Sequence, residues 1–104
     1  MRKAKVFVKG IEAGILTEIH LGKKYVFEYH NEYLGLPVSR TMPLKKKVYN
    51  FNRFPPFFEG LLPEGIQLDG LLTIKKIDKD DYFSQLIAVG DDLVGVVTIK
   101  ELSE

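Results

Sequence analysis

Tyr25, Phe27 and Tyr29 alternate with Lys24, Glu28 and His30, and only Val26 interrupts the polar side. A period of two puts the three rings on one face of a strand and the polar residues on the other. Three large rings on one face need cover, while the opposite face stays wet. The chain must therefore build an antiparallel sheet with one packed side. The preceding segments extend it. Residues 5–9 are β-rich and closed by Gly10, residues 14–19 form a second strand around Ile15, Leu16 and Thr17, and Leu21-Gly22-Lys23 reads as a turn. The first third is a β-meander.

The middle is less periodic. Asn31-Glu32-Tyr33-Leu34 reads as one helical turn capped by Asn31 and stopped by Gly35 and Pro37. Residues 38–41 read as a short strand ended by Pro43, Lys45-Lys46-Lys47 as a solvated loop, and residues 48–51 as a further strand. The second half turns helical. Pro56 suits a first helical position, and Phe57/Leu61 and Phe58/Leu62 stand four apart, as neighbours on one helix face do. Pro63 ends this helix, and a second starts near Glu64 with Leu68, Leu71 and Leu72 in phase. A third is capped by Asp78 or Asp80, carries Phe83, Leu86 and Ile87 as its stripe, and has Gly90 as its C′ residue. The apolar run over residues 93–99 predicts a strand buried on both faces. Together these elements predict an α+β fold: a small antiparallel sheet, made of the meander and a closing strand, with two to three short helices. The predicted core is Val6, Val8, Ile15, Tyr25, Phe27, Leu71, Phe83, Leu86, Ile87, Val94 and Val96.

Composition narrows the functional classes. With 104 residues the chain has the length of a single domain over 1–104. At 45% hydrophobic and 12% aromatic it is too apolar to stay disordered. No cysteine means no disulfide, no thiolate metal ligand and no thiol nucleophile. No apolar run reaches the ~18 residues of a membrane span, and Val6-Phe7-Val8 is too short for a signal-peptide core. A cytoplasmic location is expected. The net charge of +1 conceals two opposed halves: residues 1–53 hold eleven Lys/Arg against four Asp/Glu, and residues 54–104 four against ten. The halves either neutralise each other in one fold or make a dipolar molecule steered onto a partner.

Catalytic constellations are missing from the sequence. His20 and His30 stand alone, no serine has a nucleophile-elbow setting, and no glycine-rich phosphate loop is present. Asp80-Asp81 and Asp91-Asp92 read as a helix cap and a post-helix turn. A non-enzymatic protein without metal or cofactor is expected. Arg40, Lys45, Lys46, Lys47 and Arg53, near Tyr49, Phe51 and Phe54, form the best nucleic-acid candidate, since bases can stack while phosphates meet lysines. Against it stand a solvated loop with core aromatics and a pI of 7.9.

The densest segment is Phe57-Phe58-Glu59-Gly60-Leu61-Leu62-Pro63-Glu64-Gly65. It reads either as a core helix ended by a tight turn or as a rigid apolar knob shown to a partner. The same residues serve both readings. Phe-Phe-x-x-Leu-Leu-Pro-Glu-Gly resembles the signature of the N-terminal subdomain of HipA-type toxin kinases. Glu32-Tyr33-Leu34 before a Pro-Val-Ser segment, Asp81-Tyr82-Phe83-x-x-Leu86, the Val89-Gly90-x-Asp92 turn and Val94-Gly95-Val96-Val97 follow in the family's order, so the resemblance covers about residues 4–100. Ile66-Gln67-Leu68-Asp69 stands where the family usually has a basic helix with an Arg.

In HipA-like proteins the kinase core lies C-terminal to this subdomain, and Glu104 precedes any such core. The chain is thus similar to the stand-alone, HipS-like members of three-part HipBST toxin–antitoxin systems. The resemblance implies an antitoxin that binds and inhibits a HipT- or HipA-like Ser/Thr kinase toxin, supplying its missing subdomain in trans. It also implies a third member, a HipB-like helix-turn-helix DNA-binding protein. The partner-binding residues expected on this basis are Phe57, Leu61, Pro63, Glu64, Gly65 and Ile66. The alternative is a small nucleic-acid-binding module using Arg40, Lys45–Lys47 and Arg53.

Overall fold

The computed structural model describes residues 1–93 and 95–102. Five strands form one antiparallel sheet in the order β4-β3-β2-β1-β5: β1 (Arg2–Val8), β2 (Ile11–His20), β3 (Lys24–Tyr29), β4 (Val48–Phe51) and β5 (Val97–Leu102). Three helices, α1 (Pro56–Glu59), α2 (Gly65–Lys75) and α3 (Tyr82–Val89), lie between β4 and β5 in the chain. The α+β architecture is the one the patterning predicts. No described helix is long and apolar enough to cross a membrane.

The core forms on one face of the sheet. Ala4, Val6, Val8, Leu16, Tyr25, Phe27, Tyr29, Val97 and Ile99 point inward from the strands, and Phe54, Phe58, Phe83 and Leu86 meet them. The β3 alternation is realised as read: Tyr25, Phe27 and Tyr29 are buried. Edge-to-face contacts join Phe27 to Tyr29 at 4.8 Å and Tyr25 to Phe54 at 5.3 Å. Pairs of this geometry add about 0.5–1.5 kcal/mol beyond the area they bury.

Several sequence expectations need correction. β1 and β2 are longer than read. Val6 pairs with Gly14 but Phe7 pairs with Glu12, a bulge that leaves Ala13 as the extra residue. After it, Leu16 and Glu18 face inward, and Ile15 falls to the open face, half-buried. Residues 31–34 are a turn and residues 38–41 are no strand. Tyr29 decides both: Tyr33 stacks on its ring at 6.0 Å, and its hydroxyl accepts from Val38 N while donating to Met42 O. The loop is thereby tied to the sheet, with no ladder or helix of its own.

α1 is a single turn. After Glu59 the bonds run from Leu61 N to Phe58 O and from Leu62 N to Glu59 O, a three-residue spacing that tightens the chain before Leu61. Asp81, not Asp78 or Asp80, caps α3 by accepting from Ser84 N. Gly90 has φ −53°, so it is not the left-handed C′ residue. β5 begins only at Val97 and alternates as an edge strand, instead of being buried on both faces. Val96 is exposed, Leu71 and Ile87 are half-buried, and Val94 lies outside the described residues.

Candidate functional site

Pro55 and Pro56 fix the entry to α1 with preset φ values, and Phe58 is driven fully into the core beneath it, 6.1 Å from Phe27. That anchor determines what its neighbours do. Phe57 packs edge-to-face on Phe58 at 5.2 Å and, like Leu61 and Leu62, is half-buried. Pro63 is half-buried and Glu64 and Gly65 are exposed. Gly65 adopts φ +59°, a conformation costing other residues about 1–2 kcal/mol, so the chain bends sharply into α2. Ile66, just past the bend, is 89% exposed.

Of the six residues singled out from sequence, the structure therefore brings all into one continuous turn but divides them by depth. Phe57, Leu61 and Pro63 form its base, and Glu64, Gly65 and Ile66 its tip. A groove of about 620 Å³ runs beside this turn, walled on one side by Leu61, Leu62 and Pro63 and on the other by Val89, Asp92 and Leu93. The second wall was not read from sequence as part of a site. Its only signal there was the turn after α3.

The nucleic-acid candidate fares differently. Lys45 and Lys46 are exposed, but the aromatics beside them are engaged. Phe54 is buried, Tyr49 Oη donates to Pro43 O, and Lys46 Nζ lies 5.2 Å over the Tyr49 ring. Arg53 reaches Glu59 at 3.5 Å. Tyr49 and Phe51 are half-buried beside the lysines.

The sequence reading missed two polar clusters. His30 Nε2 stands 2.6 Å from Glu12 Oε2, with Lys5 Nζ 3.7 Å from the other oxygen of that carboxylate. No group of metal-ligating side chains forms among the described residues. The second cluster is deeper. The Arg2 guanidinium bridges Glu18 (2.7 and 3.1 Å) and Asp81 (3.0 Å) and also donates to Ser84 Oγ at 2.8 Å. Tyr25 Oη and Gly22 N donate to Glu18 as well. Burial alone would raise the Glu18 carboxyl, but the bonds from Arg2, Tyr25 and Gly22 hold it below the usual carboxylate value. Asp81 is held low in the same way by Arg2 and Ser84. The signal for this cluster was Glu18 itself, a charge on the same strand parity as Leu16. It ties β1, β2 and α3 together and is structural.

A one-faced antiparallel sheet with a rigid apolar turn at its rim defines a small α+β domain of a particular type. The chain belongs to the HipA N-terminal domain family, whose model matches residues 4–100. Among solved structures it is similar to the N-terminal domain of HipA toxin, with a TM-score of 0.78 and 29% identity over 100% of this chain and 95% of that one. An uncharacterized protein of Haemophilus influenzae is 33% identical over 101 residues, covering 97% of this chain and 93% of the relative.

Proposed function

We propose that this protein is a non-enzymatic antitoxin that docks on a HipA-type, HipT-like Ser/Thr kinase and restrains its phosphotransfer. It supplies in trans the N-terminal subdomain that the kinase lacks, acts in the cytoplasm, and needs no cofactor. The observation that carries this reading is Ile66, 89% exposed on a turn that Gly65 holds in a left-handed bend. A large apolar side chain on a rigid bend loses little freedom on docking. Seated near a nucleotide cleft, it hinders the closure that phosphotransfer requires. Glu64 adds a charge-assisted contact to a basic residue of the kinase. The nearly full-length match to the Haemophilus influenzae relative supports a domain that occurs by itself. A HipB-like DNA-binding protein is the expected third member, with no direct nucleic-acid contact from this chain.

The test compares Phe57→Ala, Glu64→Ala and Ile66→Asp proteins, each first shown to melt like wild type, for suppression of kinase autophosphorylation. Ile66→Asp should lose most of it, since an anchor of this kind carries about 2 kcal/mol or more of binding. Full suppression by all three would place the contact on another surface.

A further inference from the structure

β4 is the last strand on its side of the sheet, and its register shows which backbone groups that leaves over. Tyr29 N donates to Lys47 O, and the same register sets Phe27 opposite Tyr49 and Tyr25 opposite Phe51. In an antiparallel ladder, hydrogen-bonded pairs of this kind alternate with non-bonded ones. Val48 and Asn50 therefore turn both N–H and C=O away from β3. Both residues are exposed, and no hydrogen bond takes up these groups among the described residues. The other edge of the sheet is treated differently. Ile99 N, on the outer side of β5, donates to Gly90 O, so the turn after α3 closes that edge at its middle.

We propose that the outer edge of β4 docks an extended acidic segment of another protein, which adds to the sheet as a further strand. Backbone bonds hold such a segment, and charge selects it. Residues 33–58 contain five Lys/Arg and no Asp or Glu. Lys45, Lys46 and Lys47 lead into β4, and Arg53 follows it. Arg53 is answered by Glu59, but none of the three lysines enters a salt bridge among the described residues. The same charges speak against a second copy. Two β4 strands paired antiparallel through Val48 and Asn50 would set Lys45 of each toward Arg53 of the other, and like charges in facing positions destabilise a sheet. Lysines that guard an edge against its own kind thus recruit an unlike chain.

The surface is short. Two N–H and two C=O groups are on offer, so the affinity is modest, and its electrostatic part weakens with salt. The proposal does not rest on the antitoxin reading, whose contact uses residues 57–66.

NMR of the 15N-labelled full chain tests it with an acetylated, amidated octapeptide of alternating valine and glutamate. The matching valine–lysine peptide is the control. The glutamate peptide should shift the Val48 and Asn50 amides and slow their exchange about tenfold or more, as new hydrogen bonds do. The lysine peptide should do neither. Asn50→Pro removes an N–H that takes no part in the β3 ladder, at a position where an edge strand accepts proline. It should melt close to wild type and lose most of the binding. Lys45→Glu combined with Lys46→Glu changes only exposed side chains and should weaken binding about tenfold with little change in melting. No response of the two amides at millimolar peptide overturns the proposal, as does an equal response to the lysine peptide or binding that survives the lysine reversals. Protection of the same amides by raised protein concentration alone would give the edge to a second copy. An oligothymidylate that binds Lys45 and Lys46 more tightly than the peptide, leaving the two amides unmoved, would give the stretch to nucleic acid. Either result overturns the proposal too.

Discussion

Glu18 faces the core with 3% of its side chain exposed, and Arg2 keeps it charged there. Both Glu18 and Asp81 are held below ordinary carboxylate values, so their contribution to stability is full above the unfolded values of about 4 and is lost as pH falls through the folded ones. Thermal melts should therefore be flat above about pH 5 and drop steeply in acid. Glu18→Gln should flatten that acid limb; an unchanged limb would place the acid-sensitive carboxylates elsewhere. Arg2→Ala leaves Glu18 buried without its partner. It should cost about 3 kcal/mol, the low end for breaking such a pair, because Arg2 itself is one-third exposed. Phe83 lies under the Arg2 guanidinium at 5.0 Å and is 1% exposed, so Phe83→Ala should cost about 3–5 kcal/mol in denaturant titration. A loss below about 1 kcal/mol would contradict its burial. Phe83 was legible as core from its place in the α3 stripe. The partners of Glu18 were not, because contacts between distant positions, such as Arg2 with Glu18 and Arg2 with Asp81, leave no periodic trace.

Among elements, legibility followed the strength of the local pattern. The rings of β3 announce a strand face, and Pro55-Pro56 announces a helix start. α1 stops early because the bonds tighten after Glu59, which residue types four apart do not reveal. β5 was placed too early because Leu93 and Val96 are apolar without belonging to the strand. Gly90 illustrates the same limit. A glycine after a helix suggests a left-handed cap, yet here its φ is ordinary and the need is space: a Cβ would sit 2.2 Å from Ile99 O, where Ile99 N also donates to Gly90 O. Gly90→Ala should push α3 from β5 and cost about 1–3 kcal/mol. Gly65→Ala meets no atom within 4 Å but must hold φ +59°, so it should cost about 1–2 kcal/mol through backbone strain alone. Chemical denaturation of the two variants distinguishes these causes: Gly90→Ser should be as damaging as Gly90→Ala, whereas Gly65→Asn should recover much of the Gly65→Ala loss.

At the scale of the molecule, the opposed charge of the two sequence halves is partly resolved by contact. Arg2 with Asp81 and Arg53 with Glu59 are ion pairs across that divide. The Cα radius of gyration, 13.3 Å, is close to the ~13 Å of a 100-residue domain. The proposed antitoxin role carries its own expectation here: titration calorimetry with ATP should show no saturable heat, and saturable binding would overturn the non-enzymatic reading. The strand order also has a consequence for synthesis. β1 is the first strand to be made, yet it lies between β2 and β5, and its second neighbour comprises residues 97–102. Until those residues leave the ribosome, β1 presents an unpaired edge flanked by Val6, Phe7 and Val8. Such an edge invites pairing with other chains. A nascent chain arrested near residue 90 should therefore bind chaperones and resist folding, and release of the last strand should act as the latch that makes the sheet safe.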